Sequence, residues 1–216
     1  PMPSNLIQPA ELQAHLGNPK LVIVDTRSSL QDKAYGRQAH AQGHLPGAVF
    51  FDLGSDLSGP VGPHGGRHPL PDPEVMARRL GQAGIGNHSD VVVYDDAGNM
   101  YAGRLWWLLR WLGHDRVRVL DGGFQAWVAA GYAVTDAIMA LPAIDFEPHL
   151  RPEMLVSIED VKARLHQPGS SLLDARSADR YRGENEPIDP KAGHIPGALN
   201  RPFKDNLTGQ VFKSPA

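Results

Sequence analysis

Two short constellations in this sequence place a carboxylate, a guanidinium and an imidazole in the same order. Asp25-Thr26-Arg27 is followed by Gly43-His44-Leu45-Pro46-Gly47-Ala48, and Asp174-Ala175-Arg176 by Gly193-His194-Ile195-Pro196-Gly197-Ala198. The Asp-to-His separation is 19 positions in the first and 20 in the second. A carboxylate two residues from an arginine can form an ion pair, and histidine offers acid–base or metal chemistry near neutral pH. Sulfur chemistry is absent from the set: the 216 residues include no cysteine, so they contain no disulfide, thiolate metal site or sulfur nucleophile. His40 and His44 have the four-residue spacing of helical zinc ligands. Gly43 and Pro46 argue against a helix there, no third ligand is obvious, and no metal or other cofactor is expected.

The elements around these residues repeat as well. Each Asp-x-Arg closes an apolar run, Leu21-Val22-Ile23-Val24 in the first copy and Ser171-Leu172-Leu173 in the second. Matching motifs at an offset of 149 to 150 residues indicate a tandem duplication. In the first copy the pattern predicts a helix from Pro9, a buried strand over 21–24, a second strand over 48–51 and a Gly/Pro-rich loop over 52–72. A helix with Pro at its first turn follows over 73–80, then a strand over 91–94, a helix over 101–112, a strand over 117–120 and a helix over 124–130. Alternating strands and helices imply an α/β fold with a mostly parallel sheet flanked by helices. The proline-punctuated stretch 142–152 reads as a linker between a domain over 1–141 and a second, incomplete one over 153–216, which opens with a helix over 158–165. Trp106, Trp107, Trp111 and Trp127 read as packing residues.

Composition bounds the rest. Net charge is -3, with 41% apolar and 21% charged residues, an ordinary globular balance. There is no basic tail, no run of about 18 apolar residues able to span a bilayer, and no secretory N-terminal pattern. The expectation is a cytoplasmic protein, a monomer, with neither a nucleic-acid nor a membrane partner.

In open α/β sheets ligands bind outside the carboxyl ends of the strands. The turn 95–99, between a strand and a helix N-terminus, could cradle an anion with its backbone N–H groups. It opens with Asp95-Asp96, which would repel one, so the first-copy site reads as disabled.

The stretch VVVYDDAGNMYAGRLWWLLRWLGHDRVRVLDGGFQAWVAAGY, the two Gly-His-x-Pro-Gly-Ala motifs and LLDARSADRYRGENEPIDPKAGHIPGALNRPF resemble the tandem-domain rhodaneses, the thiosulfate and 3-mercaptopyruvate sulfurtransferases. The resemblance runs from about residue 5 onward. It implies a non-catalytic first domain and a second domain whose cysteine, after the central strand, becomes a persulfide and passes sulfur to cyanide or a thiol. Asp95 holds the corresponding place in the first copy, a vestigial catalytic position. Carrying its 51-residue distance from His44 over to His194 puts the second-copy position near residue 245, beyond Ala216. The chain as given is therefore expected to end before its catalytic cysteine and to be inactive alone.

The resemblance also assigns the anion side. Arg180 matches an arginine that faces the substrate's sulfonate or carboxylate, a role suited to the guanidinium fork, and Arg182 is a weaker candidate. Mercaptopyruvate-specific members usually carry another arginine after the Glu-Pro of this loop, whereas Ile188 follows Glu186-Pro187 here. This departure favours thiosulfate as donor, with 3-mercaptopyruvate the alternative. His68 resembles a first-domain histidine that reaches towards the catalytic cysteine in some members; the acidic partner found near it is replaced by Gly54, and a plain surface histidine is the competing reading. His44 and His194 recur in both copies and read as structural, bonding the turn beside Pro-Gly. The Asp25–Arg27 and Asp174–Arg176 pairs read as fold-holding. Two other classes remain: a non-catalytic rhodanese-like binding or regulatory module, and a phosphatase of related fold with a longer anion loop.

Overall fold

The structure is a computed structural model that describes residues 4–214. The chain divides into two compact units, Pro1–Pro152 and Glu153–Ala216.

The first unit is built on strands that are apolar on both faces. β2 (Leu21–Asp25) and β4 (Asp90–Tyr94) are buried along nearly their whole length, as a central parallel strand must be when helices cover both sides. They pair in parallel, Leu21 opposite Asp90 through Asp25 opposite Tyr94. β3 (Val49–Phe50) flanks β2, and β5 (Val117–Leu120) flanks β4. The outer edge is β1 (Leu6–Ile7), a two-residue strand not expected from the sequence, paired in parallel with β5. The order is β1-β5-β4-β2-β3.

One sheet face buries Ile23, Val92 and Tyr94 against Leu12 of α1 (Pro9–His15) and Trp127, which stands on the later helix 123–129. Trp127 is fully buried, and its indole N–H donates to the Ala133 carbonyl at 2.8 Å. α2 (Tyr35–Gln42) includes His40 and ends at Gly43, which corrects the expectation that no helix forms there. The glycine stops the helix; it does not forbid the turns before it. α3 (Pro73–Gln82) starts as expected at Pro73, with the Asp72 carboxylate accepting from the Glu74 and Val75 N–H groups. α4 (Met100–Trp111) lies against β4 and β5, and α5 (Gly123–Ala129) follows β5. Residues 52–72 form a long loop without regular elements.

The stretch 142–151 has no regular secondary structure but is bonded to the first unit rather than loose. The Ile144 N–H donates to Gly81, His149 to Leu112 and Arg151 to Trp111, and Phe146 is buried.

The second unit has α6 (Ile158–Arg164), α7 (Ala178–Arg182), a parallel pair β6 (Leu173–Asp174) and β7 (Leu199–Asn200), and a hairpin β8 (Leu207–Thr208) with β9 (Val211–Phe212). α6 begins with a reciprocal capping box between Ser157 and Asp160, a local signal that fixes its start. No helix among the described residues is long and apolar enough to cross a membrane.

Candidate functional site

The carboxyl ends of β2 and β4 carry the first unit's polar centre. At the end of β2, Arg27 Nη2 donates to Asp25 Oδ2 and to the Gly43 carbonyl, both at 2.6 Å, and both side chains are almost wholly buried. The Gly43 carbonyl immediately precedes His44, so this clamp ties the strand end to the Gly-His-Leu-Pro-Gly turn. His40 Nδ1 meets Asp25 Oδ2 at 3.0 Å. Burial by itself would raise the Asp25 carboxyl; the His40 bond and Arg27 outweigh it and hold the group below its ordinary value. His44 is fully buried, and its ring nitrogens face two carbonyl oxygens, His40 at 2.7 Å and Ala137 at 3.2 Å. It stacks on His40 with ring centroids 3.9 Å apart.

The second unit repeats this arrangement. Arg176 Nη2 donates to Asp174 Oδ2 and to the Gly193 carbonyl, again both at 2.6 Å. The bond from Arg176 lowers the Asp174 carboxyl. His194 Nδ1 donates to the Tyr181 carbonyl at 2.6 Å and stacks on the Tyr181 ring at 3.7 Å, so Tyr181 stands where His40 stands in the first unit. The histidines are engaged in turn geometry, and His40 and His44 stack on one another.

At the end of β4, Asp95 is an acceptor for the turn that follows it. Its Oδ1 accepts from the Ala97 and Asn99 N–H groups at 2.9 and 2.8 Å, and its Oδ2 from Tyr101 and Ala102 at 2.8 and 2.9 Å. Four backbone donors at the start of α4 therefore converge on one buried carboxylate. Burial pushes the group above its ordinary value, and the four donors pull against that rise. The turn reaches this shape through Asn99, in the left-handed region at φ 64, whose amide donates to the Leu120 carbonyl at 3.2 Å. Gly123 closes it from the other side: at φ 61, with a Cβ only 2.4 Å from the Asp95 carbonyl, no other residue fits this position unstrained. The sequence pattern suggested that Asp95 repels an anion; in the structure it is itself the anion in the cradle. Beside it Asp96 accepts from the Tyr35 hydroxyl, and that bond, followed by burial, pushes the tyrosine up to about 12.

Arg180, on α7, lies in an acidic clamp formed by the loop after it. Nε and Nη2 contact both Glu186 oxygens at 2.9 to 3.2 Å, and Nη2 reaches Asp189 Oδ2 at 2.8 Å. Glu186 in turn accepts from the Asp189 and Ile188 N–H groups, and the Asp189 N–H, ahead of Arg180, lowers its carboxyl. The Arg180 side chain is 17% exposed. Arg182 is open to solvent and donates to Glu184. His68 sits at the returning end of the 52–72 loop, half-buried, its pKa lowered by burial first and then by Arg67, Arg104 and Lys33. The Glu186 and Asp189 partners of Arg180 were not read from the sequence, although an arginine followed by acids six and nine residues later in a Gly/Pro-rich stretch is a usable signal.

Comparison with known proteins agrees with these features. A Pseudomonas aeruginosa protein named "Probable 3-mercaptopyruvate sulfurtransferase" is 47% identical over 206 residues, covering 94% of this chain and 72% of that protein. Bos taurus thiosulfate sulfurtransferase is 36% identical over 204 residues, covering 91% of this chain and 67% of its own length. The crystal structure of SseA from Escherichia coli, described as having the "Rhodanese" fold of 3-mercaptopyruvate sulfotransferases, superposes with a TM-score of 0.87 at 32% identity, over 98% of this chain and 79% of that one. The rhodanese-like domain model matches residues 8–130 and 157–214. By its parallel sheet, its repeated Asp-Arg-Gly clamp and these similarities, the chain belongs to the rhodanese-like domain family.

Proposed function

We propose that the protein is a sulfurtransferase whose donor is 3-mercaptopyruvate, and that these 216 residues supply donor-binding groups while the sulfur-carrying cysteine lies outside them. The observation that carries this reading is the 47% identity to the Pseudomonas protein across 94% of the chain. Escherichia coli 3-mercaptopyruvate sulfurtransferase, 34% identical over 200 residues, points the same way. Ile188 after Glu186-Pro187 had favoured thiosulfate; the relatives outweigh that single position.

In the reaction a cysteine thiolate attacks the donor sulfur. An S–S bond forms, the C–S bond breaks with its electron pair going to C3, and the thiol proton ends on C3 as pyruvate leaves. The persulfide then passes its outer sulfur to a cyanide or thiol acceptor. Arg180 is assigned to the donor carboxylate: Glu186 and Asp189 pre-orient its fork and limit the entropy lost on binding. Arg182 is assigned a supporting electrostatic role. His68, kept neutral at neutral pH by burial and nearby cations, is assigned the uptake and return of the thiol proton. Asp95 marks the vestigial catalytic position, its carboxylate filling the cradle that would otherwise hold a reacting anion.

The test uses the protein carrying its cysteine, with 3-mercaptopyruvate and thiosulfate as alternative donors. kcat/KM is expected to favour 3-mercaptopyruvate by at least about tenfold, and Arg180→Lys to raise its KM by roughly 10- to 100-fold through loss of the guanidinium that Glu186 and Asp189 hold in place. A preference for thiosulfate overturns the donor assignment. Absence of transfer from either donor overturns the enzyme reading in favour of a binding module.

A further inference from the structure

Arg104 stands one turn into α4, the helix whose N-terminus forms the Asp95 cradle. Among the described residues its guanidinium bonds only main-chain carbonyls: Nε and Nη2 donate to Leu57 at 3.2 and 3.0 Å, and Nη2 also donates to His68 and Pro69, both at 3.0 Å. Leu57 is on the outgoing limb of the 52–72 loop, and His68 and Pro69 are on the returning limb. Among the described residues no carboxylate pairs with Arg104, and burial lowers its pKa. A half-buried cation used in this way is expensive unless its geometry is needed.

The same two limbs touch at a second point. The Gly59 N–H donates to the Pro69 carbonyl at 3.0 Å, and a Cβ at Gly59 would lie 2.6 Å from the Leu70 carbonyl. Residues 60–67, beyond these ties, are exposed throughout, and Gly65 and Gly66 both take positive φ. His68 is therefore the first residue of the returning limb that the stem holds.

We infer that Arg104 is a positioning residue: its planar fork ties the two limbs of the 52–72 loop together and so fixes the place of His68 at the base of an exposed tip. The link to sulfur transfer rests on the role assigned to His68 under the proposed function; the clamp itself does not. A lysine cannot reproduce it, because a single ammonium on a flexible stem does not present coplanar donors to three fixed acceptors. Arg104 also acts on His68 electrostatically, as one of three cations, with Arg67 and Lys33, that lower its pKa together with burial.

Three variants separate the contributions: Arg104→Lys keeps the charge and loses the fork, Arg104→Gln loses both, and Gly59→Ala disturbs the limbs with Arg104 intact. Two signals are read by NMR on the chain as it stands: hydrogen exchange at the Gly59 N–H and the titration of the His68 ring. Tryptophan fluorescence reports that the first unit is folded. The inference expects exchange at the position-59 N–H to accelerate at least about tenfold in all three, since several charge-assisted bonds are lost or the close approach is disturbed. It also expects the His68 midpoint to rise in all three, most in Arg104→Gln. Unchanged exchange at Gly59 in both Arg104 variants overturns the clamp. Accelerated exchange with an unmoved His68 midpoint overturns positioning and leaves a purely structural tie.

In the cysteine-bearing protein, Arg104→Lys should lower kcat for 3-mercaptopyruvate and shift its pH profile in the direction of the His68 change. If His68→Gln leaves transfer intact while the NMR results hold, the role of His68 in the proposed function fails and the clamp stands.

Discussion

Replacing Asp95 is the most discriminating perturbation of the first unit. Asp95→Ala leaves four N–H donors, those of Ala97, Asn99, Tyr101 and Ala102, facing the space the carboxylate occupied. An unsatisfied buried donor costs about 1–3 kcal/mol, and water entering the vacated space recovers part of it, so the net loss expected is about 3–5 kcal/mol. That is a large share of the roughly 5–15 kcal/mol that holds an ordinary domain folded. Asp95→Asn retains one acceptor oxygen for two donors but turns an amide N–H towards the other two. It gains from no longer burying a charge whose pKa is already raised by desolvation. The expected loss for asparagine is about 2–3 kcal/mol, between wild type and alanine. Urea unfolding followed by tryptophan fluorescence measures this in the right place, because all four tryptophans, 106, 107, 111 and 127, are in the first unit. Losses below about 1 kcal/mol for both variants would refute the view that the turn is organised around the carboxylate.

Asp95→Cys would place the chain's sole cysteine among the same donors at the start of α4. Burial outweighs the four donors at this position, so its thiol is expected to titrate above the ordinary value of about 8.5 and to alkylate more slowly than a surface cysteine at neutral pH, which a pH series of iodoacetamide labelling would establish. Arg27→Ala should cost about 3–5 kcal/mol because it leaves the buried Asp25 carboxylate without its guanidinium partner, while Arg176→Ala, whose side chain is 28% exposed, should cost about 1 kcal/mol; hydrogen-exchange mass spectrometry reads each unit separately. The Asp25 carboxyl lies below its ordinary 3.8, so its contribution is complete above that value and is lost as pH falls through its folded value. Asp25→Asn should therefore flatten the acid limb of the first unit's stability curve, and an unchanged acid limb in urea midpoints against pH would count against the pairing.

The residues legible in the sequence were those whose role is set within a few neighbours. β2 and β4 announced themselves as runs of β-branched residues, Pro73 marked a helix start, and the Asp-x-Arg and Gly-His-x-Pro-Gly-Ala motifs repeated because the same tight turn needs the same residues each time. The alternation of strands and helices held the α/β fold, and the family resemblance added Arg180 as an anion-facing candidate.

Tertiary structure decided everything that depends on partners brought from far along the chain. α2 formed despite Gly43 because the glycine lies at its end, and β1 is a strand only because β5 is there to pair with it. Asp95 reads as a repelling charge when only its neighbour Asp96 is considered, and becomes a satisfied acceptor once the chain turns back to aim four N–H groups at it. Arg104 looks like any helix-surface arginine until the 52–72 loop lays three carbonyls across it. The physical reason is the same in each case: hydrophobic period and capping act over a turn or two, whereas the burial and pairing of a charge are fixed by groups tens of residues away, whose positions no local pattern encodes.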